Sequence, residues 1–360
     1  MRSLDRLPKA HLHLHLEGSM RPATLAELAG ERDERPPDFG GFTSFEHFNA
    51  LHGAAARLVR EGPRRNLLRL VREVVEDAAA DGAVWIEPHF NPLTYDDDPD
   101  AALDLLDEVI DEGRRTGVQL GVGFGILVFA RRNADPSHAV ETARLAARRS
   151  SDGVVSFGLA GDETRQSSES FAKAFAIARD AGLIPAPHAG ELAGPASVRA
   201  ALDVLGARRI AHGVRAIEDP ALLARLAADG IVLDVCPTSN VALGVVGSLA
   251  AHPLPLLLQA GVRCTLNADD PLLFGPGLLQ EYETARTALA LTDPQLAAVA
   301  RTSVEASGAP RAIVENAVTR IGAWLDISDQ ATTPPTQQAC RRPHHKAPSV
   351  TTSQKLRDNL

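Results

Sequence analysis

The amino-acid sequence predicts an α/β fold: a (β/α)8 TIM barrel with a helical cap inserted after its first strand. Two observations carry that prediction. Short runs rich in Val, Ile and Leu alternate with longer stretches whose apolar residues recur at three and four, the pattern of repeated strand–helix units. Eight such strands fit into the 360 residues, and five of them end in ionisable or glycine-rich groups. A barrel gathers its chemistry at that C-terminal rim.

The strands are expected at AHLHLHL from Ala10, AVWIEPHF from Ala83, GVQLGVGFGILV from Gly117 and GVVSFGLA from Gly153. LIPAPHA from Leu183, RIAH from Arg209, IVLDVC from Ile231 and RCTLNA from Arg263 complete the set. The segments between them, such as NLLRLVREVVEDAAADG, SFAKAFAIARDAG and PALLARLAADG, each end in Gly, as a helix followed by a left-handed cap does. An open doubly wound sheet is the competing fold, but it needs a glycine-rich phosphate turn that opens a helix. GVGFG at 121 lies within a strand and opens none.

Two segments stand outside the eight units. Residues 22–66 carry helical pieces and the Pro/Gly-rich RPPDFGGFTSF, and are expected to cap the barrel mouth. Residues 328–360 show almost no apolar periodicity and are expected to form a disordered tail behind a barrel domain of residues 1–327. His344 and His345 are read as part of that solvated tail rather than as metal ligands.

Composition narrows the function. Net charge is −9, so there is no basic field for nucleic acid or an anionic membrane. Cys236, Cys264 and Cys340 are few, scattered and odd in number, which argues against a disulfide framework and suits a reducing cytosol. The start MRSLDRLPK lacks the apolar core of a signal peptide, and no later run is long enough to span a bilayer. A cytoplasmic protein is expected.

The stretch HLHLHLEG, residues 11–18, places His11, His13 and His15 on one face of a strand. Residues two apart on a strand stand about 7 Å from one another and can share an ion, whereas residues four apart, at about 13 Å, cannot. The rim selects His13 and His15 and leaves His11 as a core imidazole held by a neighbour. His188 at the end of the fifth strand and an aspartate of NADD after the eighth complete three nitrogens and one oxygen, a set typical of zinc with water in the open position. Asp269 and Asp270 both qualify, although Asp270 before Pro271 also fits a helix N-terminus. Glu17, Gly18, Gly161, Asp162, Glu163, Glu191, His212 and Asn267 fall on the same rim.

With these residues in place the sequence resembles the adenosine deaminases of the amidohydrolase superfamily. The matching stretches are HLHLEGS at 13, GLAGDE at 158, HAGE at 188, AHG at 211, CPTSN at 236 and NADDPLLF at 267, in the family's order over roughly residues 5–325. The resemblance implies an amidohydrolase-like barrel, one zinc ion per subunit and hydrolytic deamination of a 6-aminopurine nucleoside. Carried over, it makes His13, His15, His188 and Asp269 the zinc ligands. Glu191 becomes the proton donor to the purine ring, and His212 steers the attacking water. Asp270 would meet the purine N7, the Gly161 N–H the N3, and Glu17 the ribose. Two departures stand out: Ala268 where Thr is common, and EPHFNP on the second strand where an Arg usually follows the acidic residue. The second bears on the pocket wall and so on the substrate.

The chemistry follows. Zinc lowers the pKa of water toward 7, and Asp269 and His212 can each accept a proton from that water or fix its direction. Attack at C6 builds charge on N1, which a protonated Glu191 removes, so burial against the purine must raise its pKa. Other hydrolase chemistries lack their residues. Strand four contains no Lys to bridge two metals, and the whole chain has only Lys9, Lys173, Lys346 and Lys355. Neither the PCxxC of the cytidine deaminase type nor a GxSxG elbow occurs.

The expected substrate is a small-molecule purine nucleoside, adenosine or 2′-deoxyadenosine, converted to inosine or 2′-deoxyinosine. Aminodeoxyfutalosine, whose bulky 5′ group would have to fit residues 36–66 and Arg21, is the alternative, and GLAGDE weighs against free adenine. A barrel that only binds is disfavoured, because every zinc and acid position is filled by a competent residue.

Overall fold

The computed structural model describes residues 2–326. The expected tail, with His344 and His345, lies outside the described residues. Nine strands occur among those described: β1 (Lys9–His15), β2 (Ala83–Phe90), β3 (Gly123–Phe124), β4 (Ile126–Arg131), β5 (Val154–Ala160), β6 (Ile184–Ala189), β7 (Arg209–His212), β8 (Val232–Val235) and β9 (Arg263–Leu266). Their order is β1-β2-β4-β5-β6-β7-β8-β9, with the short β3 also paired to β2, and every ladder is parallel. Helices separate the strands, as parallel neighbours require. This is the eight-strand barrel, its third strand split into β3 and β4 at Gly125.

The seam between β9 and β1 closes through the residues that matter most. Asp269 donates its N–H to the His13 carbonyl at 3.1 Å, and His15 donates to the Asp269 carbonyl at 2.9 Å. Below them the Asn267 side-chain oxygen accepts from the N–H groups of Leu12 and His13 at 2.8 and 3.0 Å. The strand-one histidines and the strand-eight aspartate are therefore fixed to each other by backbone.

One strand boundary differs from the sequence reading. Gly117–Leu120 is not the start of the third strand but the last turn of the helix Pro99–Leu120. The helix stops at Gly121, which takes φ 74° and donates its N–H to the Gly117 carbonyl. Left-handed backbone there costs Gly little, so the apolar run GVQLGVGFG divides between two elements.

After β1 come α1 (Pro22–Glu31), α2 (Phe45–Arg60) and α3 (Arg64–Ala80). Ser44 caps α2 by accepting the His47 N–H at 3.1 Å. From α2, Phe48 stacks on Phe274 with ring centroids 5.4 Å apart, which ties the insert to the loop after β9. Burying Phe48 is worth about 2 kcal/mol. The expected cap over the mouth is thus formed chiefly by α2.

Beneath the mouth the barrel interior is polar. Buried Arg209 pairs with Glu87 at 2.7 Å and Asp234 at 3.1 Å. Glu87 also accepts from Trp85 Nε1 at 2.9 Å and Ser156 Oγ at 3.0 Å, and Asp234 from Thr265 Oγ1 at 2.8 Å. These contacts pair the buried guanidinium with two carboxylates and so offset part of the cost of burying them. They also supply a rigid floor for the residues above.

Candidate active site

His13 stands at the centre of the floor. Its Nδ1 lies 3.3 Å from the Asp234 carbonyl, an acceptor only, so that nitrogen carries the proton and Nε2 offers a lone pair. Nε2 faces His188 Nε2 at 3.1 Å and Asp269 Oδ1 at 3.2 Å, and His15 Nε2 lies 3.5 Å from the same oxygen. Four donor atoms from β1, β6 and the turn after β9 thus converge.

The fit of this cluster to a metal can be tested on its own geometry. Four ligands at zinc–nitrogen and zinc–oxygen lengths stand about 3.3 Å from each other at the corners of a tetrahedron. Three of the six separations, 3.1, 3.2 and 3.5 Å, bracket that edge, and the donor atoms within 4.8 Å of one another form three overlapping groups: His13, His188, His212 and Asp269; His13, His15, His89 and His188; and His15, Asp269 and Asp270. Lone pairs packed this closely repel unless a cation or a proton lies among them. The residues fit a single divalent ion.

Electrostatics point the same way. Burial works against the Asp269 carboxylate, yet His13, His212 and His15 around it hold it well below the usual range. Burial holds His188 well below its ordinary value, so its ring is neutral. Asp269 and His212 take φ of 62° and 61° without being glycine. Such backbone costs on the order of 1 kcal/mol or more and marks a functional constraint.

The remaining rim residues surround a cavity of about 520 Å³ above the cluster. Glu191 reaches His212, Oε1 to Nε2, at 3.4 Å, and His212 Nε2 is 3.8 Å from Asp269 Oδ2. Burial, followed by the charges of Asp269 and Glu163, pushes the Glu191 carboxyl well above its ordinary value. Glu17 accepts from the Tyr95 hydroxyl at 2.8 Å on the outer wall. Gly161, at φ 105°, turns the chain into the cavity after β5. Asp270 lies under the cap, 3.4 Å from His52 Nε2 of α2. Of the residues singled out for metal, substrate and proton transfer, all but the fully buried His13 line this one space.

His11 holds the Ala268 N–H on its Nε2 at 3.1 Å, away from the cluster, as a core imidazole does. Arg21 corrects the sequence reading. It does not face the ribose end but pairs with Glu76 at 2.9 Å and Asp77 at 2.6 Å on α3, because that acidic face is its nearest neighbour. Cys236 is buried one residue beyond β8.

Several neighbours carry no signal in the sequence beyond their motifs. Glu163 of GLAGDE accepts the N–H groups of Gly190, Glu191 and Leu192 at 2.9, 2.8 and 3.1 Å and the Ser197 hydroxyl at 2.6 Å, which pins the HAGE turn. Ser239 of CPTSN donates to Asp269 Oδ2 at 2.7 Å. His89, from the unusual EPHFNP, stacks on His13 with the rings 7° from parallel.

A parallel barrel whose C-terminal rim brings several imidazoles and a carboxylate together defines a metal-dependent amidohydrolase. The comparisons with known proteins are specific. Residues 8–323 match the family model for adenosine deaminase. A Streptomyces virginiae protein named "Putative adenosine/adenine deaminase" is 44% identical over 337 residues, 90% of this chain and 98% of that one. The aminodeoxyfutalosine deaminase of Acidothermus cellulolyticus is 35% identical over 79% of this chain and 83% of its own. The crystal structure of an adenine deaminase from Arthrobacter aurescens superposes with a TM-score of 0.82 at 28% identity, covering 88% of this chain and 99% of that one. The chain belongs to the adenosine deaminase family and is a hydrolytic deaminase acting on C–N bonds of cyclic amidines.

Proposed function

We propose that this enzyme deaminates adenosine or 2′-deoxyadenosine at C6, with one zinc ion held by His13, His15, His188 and Asp269. The observation that carries the reading is the placement of buried Glu191, its carboxyl pushed well above its ordinary value by burial, beside His212 and the donor cluster at a cavity of about 520 Å³. Zinc at this site would lower the pKa of water toward 7 and so supply a nucleophile at neutral pH.

The chain's own residues do the rest. Asp269, ionised and held by Ser239, takes the proton that the attacking water loses. His212 directs that water from the side. Glu191 donates to N1 as C6 is attacked, which neutralises the charge building on the ring. Asp270 binds N7, the Gly161 N–H binds N3, and Glu17 binds the ribose. The proton taken by Asp269 then passes to the C6 amino group, which leaves as ammonia, and the C6 hydroxyl gives up its proton to restore Glu191, so that a 6-oxopurine remains. Residues 1–327 supply this chemistry, and the buried, unpaired Cys236 and Cys264 suit a cytosolic setting.

Glu17 on the outer wall favours a nucleoside over free adenine, in agreement with GLAGDE. A second reading has one observation behind it. Arg60 and Arg131 line the cavity. Cationic groups there suit a substrate extended at the 5′ end, the aminodeoxyfutalosine reading. Comparing kcat/KM for adenosine, 2′-deoxyadenosine, adenine and aminodeoxyfutalosine tests both. Preference for the two plain nucleosides supports the first reading; a preference for the extended substrate that Arg131→Ala abolishes supports the second. Preference for adenine contradicts both.

A further inference from the structure

The CPTSN motif contributes more than Ser239. Its next residue, Asn240, is fully buried and sits between two imidazoles. Asn240 Nδ2 lies 3.1 Å from His212 Nδ1, and Asn240 Oδ1 lies 3.2 Å from His252 Nε2. At the far end the backbone N–H of Leu254 points at His252 Nδ1, at 3.2 Å.

A backbone N–H can only donate, and that fixes the direction of the whole chain. His252 Nδ1 must accept, so the ring proton of neutral His252 is on Nε2. Burial keeps His252 neutral, its pKa lowered to about 4. His252 Nε2–H then requires an acceptor, which makes the facing Asn240 atom the carbonyl oxygen and turns the amide nitrogen toward His212. The amide donates to His212 Nδ1, and the one remaining proton of a neutral His212 goes to Nε2, the atom that faces Glu191 and Asp269.

We infer that Asn240 and His252 are positioning residues that set the tautomer of His212, so that His212 meets the attacking water as an Nε2–H donor and Asp269 is left as the proton acceptor. This rests on the reading that His212 steers that water. A ring with the opposite tautomer would present a lone pair to the same water and compete with Asp269 for its proton. In a serine protease, an Asp-to-Asn change that leaves geometry intact but imposes the wrong tautomer on the catalytic histidine costs about 10⁴ in kcat. The reverse change is available here.

The test compares Asn240→Asp with Asn240→Ala in zinc-loaded protein. Aspartate keeps the shape and still accepts from His252, but it also accepts from His212 Nδ1–H and so moves the proton off Nε2. Alanine imposes neither tautomer. We expect Asn240→Asp to lose at least about 10²-fold in kcat, more than Asn240→Ala, with KM within about threefold of wild type. A merely structural role gives the opposite order, because aspartate fills the space and alanine leaves a hole; that order overturns the inference. A second measurement needs no variant to work. In the ring ¹⁵N spectrum of zinc-loaded wild-type protein, the His212 signals, identified as those missing from His212→Asn, should show the protonated nitrogen to be Nε2. A protonated Nδ1 overturns the inference. His212→Asn also separates the two levels. Full turnover without His212 removes the underlying reading, whereas a slow His212→Asn beside a fast Asn240→Asp removes only the relay.

Discussion

Glu191 Oε1 lies 3.4 Å from His212 Nε2, both side chains buried and both facing the donor cluster. In the proposed mechanism this pair puts the proton donor and the water-directing ring on the same side of the cavity floor. Replacing Glu191 by Gln keeps the size and the hydrogen-bonding edge but removes the transferable proton. Glu191→Gln is expected to retain fold and bound metal while kcat falls by at least about 10²-fold, the scale of general acid catalysis. Unchanged turnover, measured as conversion of adenosine, would reassign the donor.

The same residue sets a pH dependence. Burial first, then the charges of Asp269 and Glu163, raise the Glu191 carboxyl. The active form is the protonated one, so kcat/KM should hold through neutral pH and fall tenfold per unit above the raised pKa. A profile that instead rises with pH across that range would show that the ionised carboxylate is the working form.

Gly18 offers a test of the purine-binding edge. A Cβ built at Gly18 would lie 1.6 Å from Asp270 Oδ1, so any side chain there must push the carboxylate aside. Displacement of a binding group by about 1 Å can cost on the order of 10²-fold. Gly18→Ala should therefore lower kcat/KM by about 10- to 10²-fold with metal content unchanged. Kinetics of wild-type quality would mean that Asp270 does not hold the substrate.

Glu281 supplies a stability prediction away from the ligands. Burial pushes its carboxyl from an ordinary 4.5 up to about 7. A carboxyl whose pKa is higher folded than unfolded favours the native state fully below pH 4.5, and that contribution is lost as pH rises through about 7. The loss amounts to about 3 kcal/mol. Glu281→Gln, always neutral, should flatten the decline and melt on the order of 5 °C above wild type at pH 8. Parallel Tm–pH curves for the two proteins would contradict this.

The parts of the site legible in the sequence are those that strands present directly. Alternation fixes which face of β1 carries His13 and His15, and the end of a parallel strand fixes the rim, so HAGE and NADD had to arrive beside them. What stayed hidden depends on chain segments that no periodicity describes. His52 comes from the cap, and although Glu163 falls on the rim as expected, nothing in the sequence shows that it accepts the N–H groups of the HAGE turn. His252 meets Asn240 through an irregular segment after CPTSN. The misplaced start of the third strand has a local cause: GVQL is apolar enough for a strand, yet it closes the helix that Gly121 ends. Arg21 was misplaced because sequence order says nothing of the acidic face of α3 that captures it.

The central claim is that His13, His15, His188 and Asp269 grip one catalytic cation. The most direct measurement strips the protein with a chelator and titrates zinc back, reading metal per chain and adenosine conversion together. The account predicts no turnover when stripped and full recovery at one zinc per chain, with binding weakened in both His188→Ala and Asp269→Asn. Turnover by the metal-free chain, or zinc held as tightly after both substitutions as before them, would contradict it.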